Sequence, residues 1–255
     1  MSEIHIIPCG TLRVRADEMI KPVGADTIRK HYPVDPDGTL TLAMQALLVV
    51  HREKYILMDP GCADFLPGRL AVQYGLELEM SLEEALGERG VGPEKITDVI
   101  FTHLHFDHGS GAFQRIPGKI IKRFPQARYH VLKEHFEYAM KPHPSEADTF
   151  FTRFFRFIDP PVWIEDWKEE WISFKVFYGH THGMVVPMIH LNGTITCYLS
   201  DLAPMALFLS REIFSGYDLH PETALREKQK FLDGTTASMK FIFFHDLLNK
   251  SMIYP

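Results

Sequence analysis

The sequence predicts an α/β layered fold with a polar site along one sheet edge. β-rich runs alternate with helical stretches over most of the chain. Ligand-type polar residues recur just beyond apolar runs, at four separate places. No repeat, linker or low-complexity tract interrupts the 255 residues, so residues 1–255 are expected to form a single compact domain.

The strand rhythm begins at residue 39. TLAMQALLVV and YILM flank the charged turn HREK, a hairpin signal, and Asp59-Pro60-Gly61 then turns the chain at the tip of the second strand. In SLEEALGERGVGPEKITDVIF, Ser81 and Glu84 have capping-box spacing, and Gly90, Gly92 and Pro93 close the helix. Val99-Ile100-Phe101 is then a buried strand that delivers the segment HLHFDH at its C-terminal end.

ARYHVLKEHFEYAM reads as a strand running into a helix, and EADTFFTRFFRFI, residues 146–158, as a second helix. Its phenylalanines spread around more of the circumference than one buried stripe requires. With Trp163, Trp167 and Trp171 they mark an aromatic helical insertion over residues 133–171, packed on the core or covering a pocket or a dimer surface. Farther on, ISFKVF and VVPMIHL are strands, and Asn192-Gly193 is a hairpin turn leading to TITCYL. A helix starts near Pro221 and stops at Gly234, and MKFIFF is a last apolar strand.

Composition narrows the function. A formal net charge of −6 from 27 basic and 33 acidic residues lacks the basic excess that phosphate backbones attract, so nucleic acid is not expected as a partner. No apolar run approaches membrane-spanning length, and MSEIHIIPCG carries no secretory leader pattern. Cys9, Cys62 and Cys197 form no paired framework and read as reduced thiols. A cytoplasmic location is expected.

Within FTHLHFDHGSG, His103, His105, Asp107 and His108 occupy six consecutive positions. On an extended segment His103 and His105 point to the same side, which is half of a tetrahedral shell. Asp107 and His108 follow where the chain must turn, placed to face a second cation. Imidazole and carboxylate without thiolate favour divalent Zn, Fe, Mn or Co over soft copper. Six positions cannot complete two shells, and candidates wait at other strand ends: His180 and His182 in YGHTHG, Asp201 in LSDL, and His245 and Asp246 in FFHD. Each alone has a structural alternative, as a turn cap, a helix N-cap or a hydrogen-bonded strand terminus.

His103-Leu104-His105-Phe106-Asp107-His108 has the form H-x-H-x-D-H, and Asp59, His180, Asp201 and His245 follow the same order as in the metallo-β-lactamase-fold hydrolases, which the chain resembles from about residue 40 to 250. The resemblance implies a four-layer αββα sandwich with the metal site at one edge of the sheets. It implies one ion on His103, His105 and His180, a second on Asp107, His108 and His245, Asp201 bridging them, and Asp59 orienting a ligand histidine. Two divalent metal ions, zinc first with iron or manganese as alternatives, would create a bridging hydroxide at neutral pH, and Asp107 would carry the proton to the leaving group.

The motif text is most similar to acyl-homoserine-lactone lactonases, with three departures. Pro204 stands where those enzymes carry a tyrosine that polarises the substrate carbonyl. GHTPGH reads GHTHGM, with His182 and Met184 at the altered places, and V-D-T-G reads Met58-Asp59-Pro60-Gly61. His182, Met184, Pro204, Phe150 and Phe154 are therefore the candidate substrate-pocket residues. The expected activity is hydrolysis of a small-molecule ester, lactone or thioester, with a homodimer as one possible assembly. Competing readings are a phosphodiesterase or ribonuclease of the same fold, a diiron redox protein and a non-catalytic binding module. If the missing hydroxyl is limiting, Pro204→Tyr raises lactone turnover in a steady-state assay; an unchanged rate assigns control to pocket shape.

Overall fold

A computed structural model of the chain describes residues 2–66, 68–158 and 160–254. The chain divides into two compact units. The first comprises Met1–Gly10, Met44–Gln73 and Glu77–Lys168; the second comprises Thr11–Ala43, Tyr74–Leu76 and Glu169–Pro255.

The first unit is built on most of a six-stranded sheet of β1 (Ser2–Arg15), β2 (Thr39–His51), β3 (Lys54–Met58), β4 (Asp98–Ile100), β5 (Arg128–Val131) and β6 (Val162–Trp163), in that spatial order. The expected hairpin is β2 and β3, paired antiparallel from Leu47↔Met58 to His51↔Lys54. β4 lies parallel to both β3 and β5, so Met58, Ile100 and His130 end in register. Leu47, Leu48, Ile56, Leu57, Val99 and Ile100 are completely buried, which is why these runs are apolar on both faces. The Ser81 cap forms as expected: its side chain accepts from Glu84 N while Glu84 accepts from Ser81 N, at the start of α1 (Leu82–Gly87).

β1 was not legible in the sequence. Its text, SEIHIIPCGTLRVR, carries Pro8 and Gly10 and lacks clean alternation. It occupies the sheet edge, where a residue without a backbone N–H is tolerated.

The expected helix over 146–158 does not form. The segment is a turn at Ala147–Thr149 and one helical turn at Thr152–Phe155. Between them Phe150 is extended (φ −99°, ψ 123°) and its backbone forms a bridge with His105. That contact takes the backbone groups a continuous helix would need. Phe154, Phe155 and Ile158 are fully buried, and the Phe154 ring packs on Phe65, Phe113 and Phe151, so the aromatic segment is part of the first unit's core.

The second unit holds a five-stranded sheet of β7 (Ile172–Phe177), β8 (Met184–Leu191), β9 (Thr194–Tyr198), β10 (Lys240–Ile242) and β11 (Ser251–Ile253). β8 and β9 form the hairpin expected at Asn192-Gly193, both of which adopt positive φ (53° and 73°), the geometry of a tight two-residue turn. α2 (Pro221–Asp233) begins at the predicted proline and stops at Gly234. No helix among the described residues is long and apolar enough to cross a membrane.

At the N-terminal end of β4 the fully buried Asp98 accepts from His130 Nε2 (2.8 Å), Arg128 (2.7 and 3.0 Å) and Thr97 Oγ1 (2.7 Å). Burial alone would raise its carboxyl; the bonds from His130 and Thr97 and the Arg128 charge hold it at about 2, below the ordinary 3.8. A folded-state pKa that is depressed gives stability present above the unfolded value and lost as pH falls through the folded one. The ionised Asp98 in this network therefore contributes about 2 kcal/mol at neutral pH, lost between 3.8 and about 2. Urea denaturation at neutral and acid pH should show this limb in the native chain and its absence in Asp98→Asn, which is also expected to be about 2–3 kcal/mol less stable at pH 7.

Candidate metal centre

In the first unit, the ends of β3 and β4 converge on one turn. Asp59 leaves β3 in the left-handed region (φ 46°), and its backbone N–H donates to Ile100 O. Phe101 to Leu104 run on from β4, and Phe106–Gly109 is a single helical turn carrying Asp107 and His108. Gly111 locks this turn against the Asp59-Pro60-Gly61 loop. Its N–H donates to Gly61 O at 2.7 Å, Gly61 N–H donates to His108 O, and a Cβ at Gly111 would lie 2.3 Å from Pro60 O.

Asp59 is completely buried and accepts three bonds: Thr102 N–H (2.8 Å), Thr102 Oγ1–H (2.6 Å) and His108 Nδ1 (3.0 Å). Burial pushes the Asp59 carboxyl above its usual range, while the bonds from His108 and Thr102 oppose that shift. Asp59, His103 and His108 each offer a ligand atom within 4.8 Å of the others.

The hydrogen bonds assign the tautomers. Thr102 gives its proton to Asp59, so the 3.0 Å contact from His103 Nδ1 to Thr102 Oγ1 requires the proton on Nδ1. His105 Nε2 lies 3.2 Å from Glu146 Oε2, an acceptor when ionised, which places the His105 proton on Nε2. The remaining nitrogens, His103 Nε2 and His105 Nδ1, then face each other at 3.1 Å with their lone pairs converging. Two such lone pairs repel unless a cation lies between them, either a proton or a metal ion. A buried imidazole pair at this spacing, with the His108 ring tilted 48° against the His103 ring at 4.1 Å and Asp107 Oδ2 3.7 Å from His108 Nε2, fits a divalent ion.

The second unit repeats the device with different parts. His180 is fixed by Asp218, whose Oδ1 lies 3.0 Å from Nδ1, and turns Nε2 towards Asp201 Oδ2 at 3.1 Å. His245 Nδ1 donates to Ala43 O at 2.8 Å, and its Nε2 lies 3.7 Å from Asp201 Oδ1. Asp201 thus has one carboxylate oxygen near each histidine, the disposition a bridging ligand needs. Burial would lower the His180 pKa, but Asp201 and Asp218 together push it up to about 10. A carboxylate-rich pocket of this kind favours a cation.

Local packing explains the placement. Gly179 admits α2: a Cβ there would lie 2.2 Å from the Ala224 backbone, and the N-terminal turn of α2 closes with His220 N–H donating to Gly179 O. Ser200, immediately before Asp201, is buried and left-handed (φ 47°). Asp246 ties the C-terminal loop beside His245 by accepting from Tyr32 Oη (2.5 Å), Ala206 N, Leu248 N and Asn249 N.

The first unit therefore brings Asp59, His103, His105, Asp107 and His108 together, and the second brings His180, Asp201 and His245 together. Of the candidate pocket residues, Phe150 stacks edge-on to His105 at 4.8 Å, Phe154 and Met184 are completely buried, Pro204 is buried and accepts from His245 N–H, and His182 is half-buried against Tyr178. Sequence reasoning missed Thr102, Glu146 and Asp218. Thr102 adjoins the motif and was within reach of it; Glu146 and Asp218 are 41 and 38 residues from their histidines, with no local signal.

A profile of the metallo-beta-lactamase superfamily matches residues 44–233. The chain belongs to that superfamily, and its α/β fold is the class expected from the sequence. No curated protein sequence matches. Among solved structures, a probable metal-dependent hydrolase from Staphylococcus aureus is similar at 20% identity and TM-score 0.88, over 98% of this chain and 91% of the other. A dizinc quorum-quenching lactonase in complex with a product N-hexanoyl-L-homoserine is similar at 20% identity and TM-score 0.80, over 99% and 90%. An N-acyl homoserine lactone hydrolase with the same product at its catalytic metal center is similar at 18% identity and TM-score 0.71, over 96% and 93%.

Thr102→Val removes the hydroxyl that fixes His103 and Asp59 while keeping the side-chain volume. Its expected effect is a 10- to 100-fold loss of zinc affinity, read by competition with a chromophoric chelator.

Proposed function

We propose that the protein is a dinuclear metal-dependent hydrolase of a small ester, lactone or thioester, working as one metallo-β-lactamase-like domain. The observation that carries this reading is the pair of His103 and His105 lone pairs converging at 3.1 Å, in a chain of this superfamily. His103, His105 and His180 would hold one ion and Asp107, His108 and His245 the other, with Asp201 bridging. Zinc fits the nitrogen-rich set best, with iron or manganese as alternatives. When bound, the ions supply a hydroxide nucleophile at neutral pH and polarise the substrate carbonyl.

The chain's own residues do the rest. Thr102 and Asp218 fix His103 and His180, Asp59 fixes His108, and the Ala43 carbonyl fixes His245, so four imidazoles present Nε2 without rotating. Asp107, beside His108 and partly exposed, would accept a proton from the nucleophile and pass it to the leaving group. Phe150, whose ring lies 4.8 Å from the His105 imidazole, would lie beside the bound substrate, and the half-buried His182 is the second candidate contact. Acyl substrates are favoured over phosphodiesters by the net charge of −6, and by the lactonases among the similar structures.

Protein loaded separately with zinc, manganese and iron should turn over members of a lactone, ester and thioester panel faster than bis(p-nitrophenyl) phosphate. Faster phosphodiester cleavage would reverse the substrate class, and a redox-active iron pair without hydrolysis would remove the hydrolase reading. Asp107→Asn is expected to lower kcat by about 10²- to 10⁴-fold when assayed at saturating metal, where weaker binding of the ion it holds is offset. Asp201→Ala should bind one equivalent of metal or none by elemental analysis; retention of two refutes the bridging role.

A further inference from the structure

We propose that Glu146 and Tyr138 are positioning residues for His105, fixing which of its ring nitrogens faces the cation; the inference rests on the dinuclear reading above. His105 is the exception in the ligand set. His103, His108, His180 and His245 are each held through Nδ1, whereas His105 is held through Nε2 and presents Nδ1. An imidazole whose opposite nitrogen is held can reach the same ion as its neighbours only if that grip is firm, because a flip of the ring moves the lone pair away.

Glu146 is built for that grip. Its side chain is about nine-tenths buried, with one oxygen 3.2 Å from His105 Nε2 and the other accepting from the Tyr138 hydroxyl. Burial and Glu146 push the Tyr138 hydroxyl up to about 12, so it remains a donor. Tyr138 is itself held by an N–H from His143 at 3.1 Å, and the Glu146 backbone is pinned in a turn by Thr149 N and Oγ1. A carboxylate that accepts from both sides can only accept, which keeps the proton on His105 Nε2 and the lone pair on Nδ1.

The alternative is a buried carboxylate kept for core packing alone. Two further contacts place the same segment against the same ligand, the Phe150–His105 backbone bridge and the Phe150 ring 4.8 Å from the imidazole, and one residue earlier Leu104 N–H donates to His135 Nε2 at 2.9 Å. The insertion therefore grips the backbone, the ring face and the outer nitrogen of one ligand. Packing alone would not require all three.

The test uses full-length protein labelled with 15N-histidine, zinc-loaded and metal-free, with zinc affinities measured for both equivalents. In the native chain the His105 signal should show the proton on Nε2 in both states, as the neutral Nε2–H tautomer when zinc is bound. Glu146→Ala should mix the tautomers and weaken one zinc equivalent by about 10- to 100-fold, leaving the other within about threefold, whereas Glu146→Gln, whose carbonyl still accepts from Nε2–H, should restore the tautomer and most of the affinity. An unchanged tautomer and unchanged affinities in folded Glu146→Ala would overturn the positioning role. If that variant does not fold, Tyr138→Phe decides instead: a several-fold weaker equivalent supports the relay, and native affinity with a native tautomer refutes it. Fewer than two zinc equivalents in the native chain would defeat the dinuclear reading, while the metal-free tautomer would still decide the role of Glu146.

Discussion

The buried carboxylate of Asp59 is the interaction on which the first unit's site depends. An ionised carboxylate in a dry interior costs several kcal/mol unless its lone pairs are met. Thr102 meets two of them and His108 a third, and each of those bonds also performs a task in the site. Because the Thr102 proton is committed to Asp59, His103 must carry its own proton on Nδ1. Because His108 is held through Nδ1, its Nε2 is turned the other way. One buried carboxylate thereby decides two tautomers and two ring orientations, and the Gly61–Gly111 contact keeps the two turns close enough for it to do so.

His105 is governed from elsewhere. The aromatic segment gives up helical continuity at Phe150, and the extended residue pairs with the ligand's backbone. The helix lost there would have been short in any case, and short helices gain little without tertiary packing. The rings of Phe154 and Phe155 fill the core, so the segment's rigidity comes from burial rather than from regular secondary structure.

The second unit solves the same problem with a carboxylate, a backbone carbonyl and a helix end. Asp218 and Ala43 hold the outer nitrogens of His180 and His245, and Asp201 lies between their inner ones. The surplus of negative charge around His180 is strong enough to overcome the burial that would otherwise keep the ring neutral. Asp246, next to His245 in the chain, spends its carboxylate on four donors and holds the loop rather than offering itself as a ligand.

Elements with local signals could be read from the chain before folding. The capping box at Ser81, the Asn192-Gly193 turn, the Pro221 helix start and the apolar strands ending at Asp59, His103 and His245 all rest on neighbours within a few residues, where periodicity and turn chemistry act. The six-position cluster announced metal for the same reason. Which nitrogen of each histidine faces inward is set by long-range contacts, because that depends on Thr102, Glu146, Asp218 and the Ala43 carbonyl. All but Thr102 are far away in sequence, and a single carboxylate or carbonyl leaves no periodic trace. A long-range contact also decided the fate of residues 146–158: helix propensity favoured a continuous helix, and a backbone contact with His105, 45 residues before Phe150, prevailed.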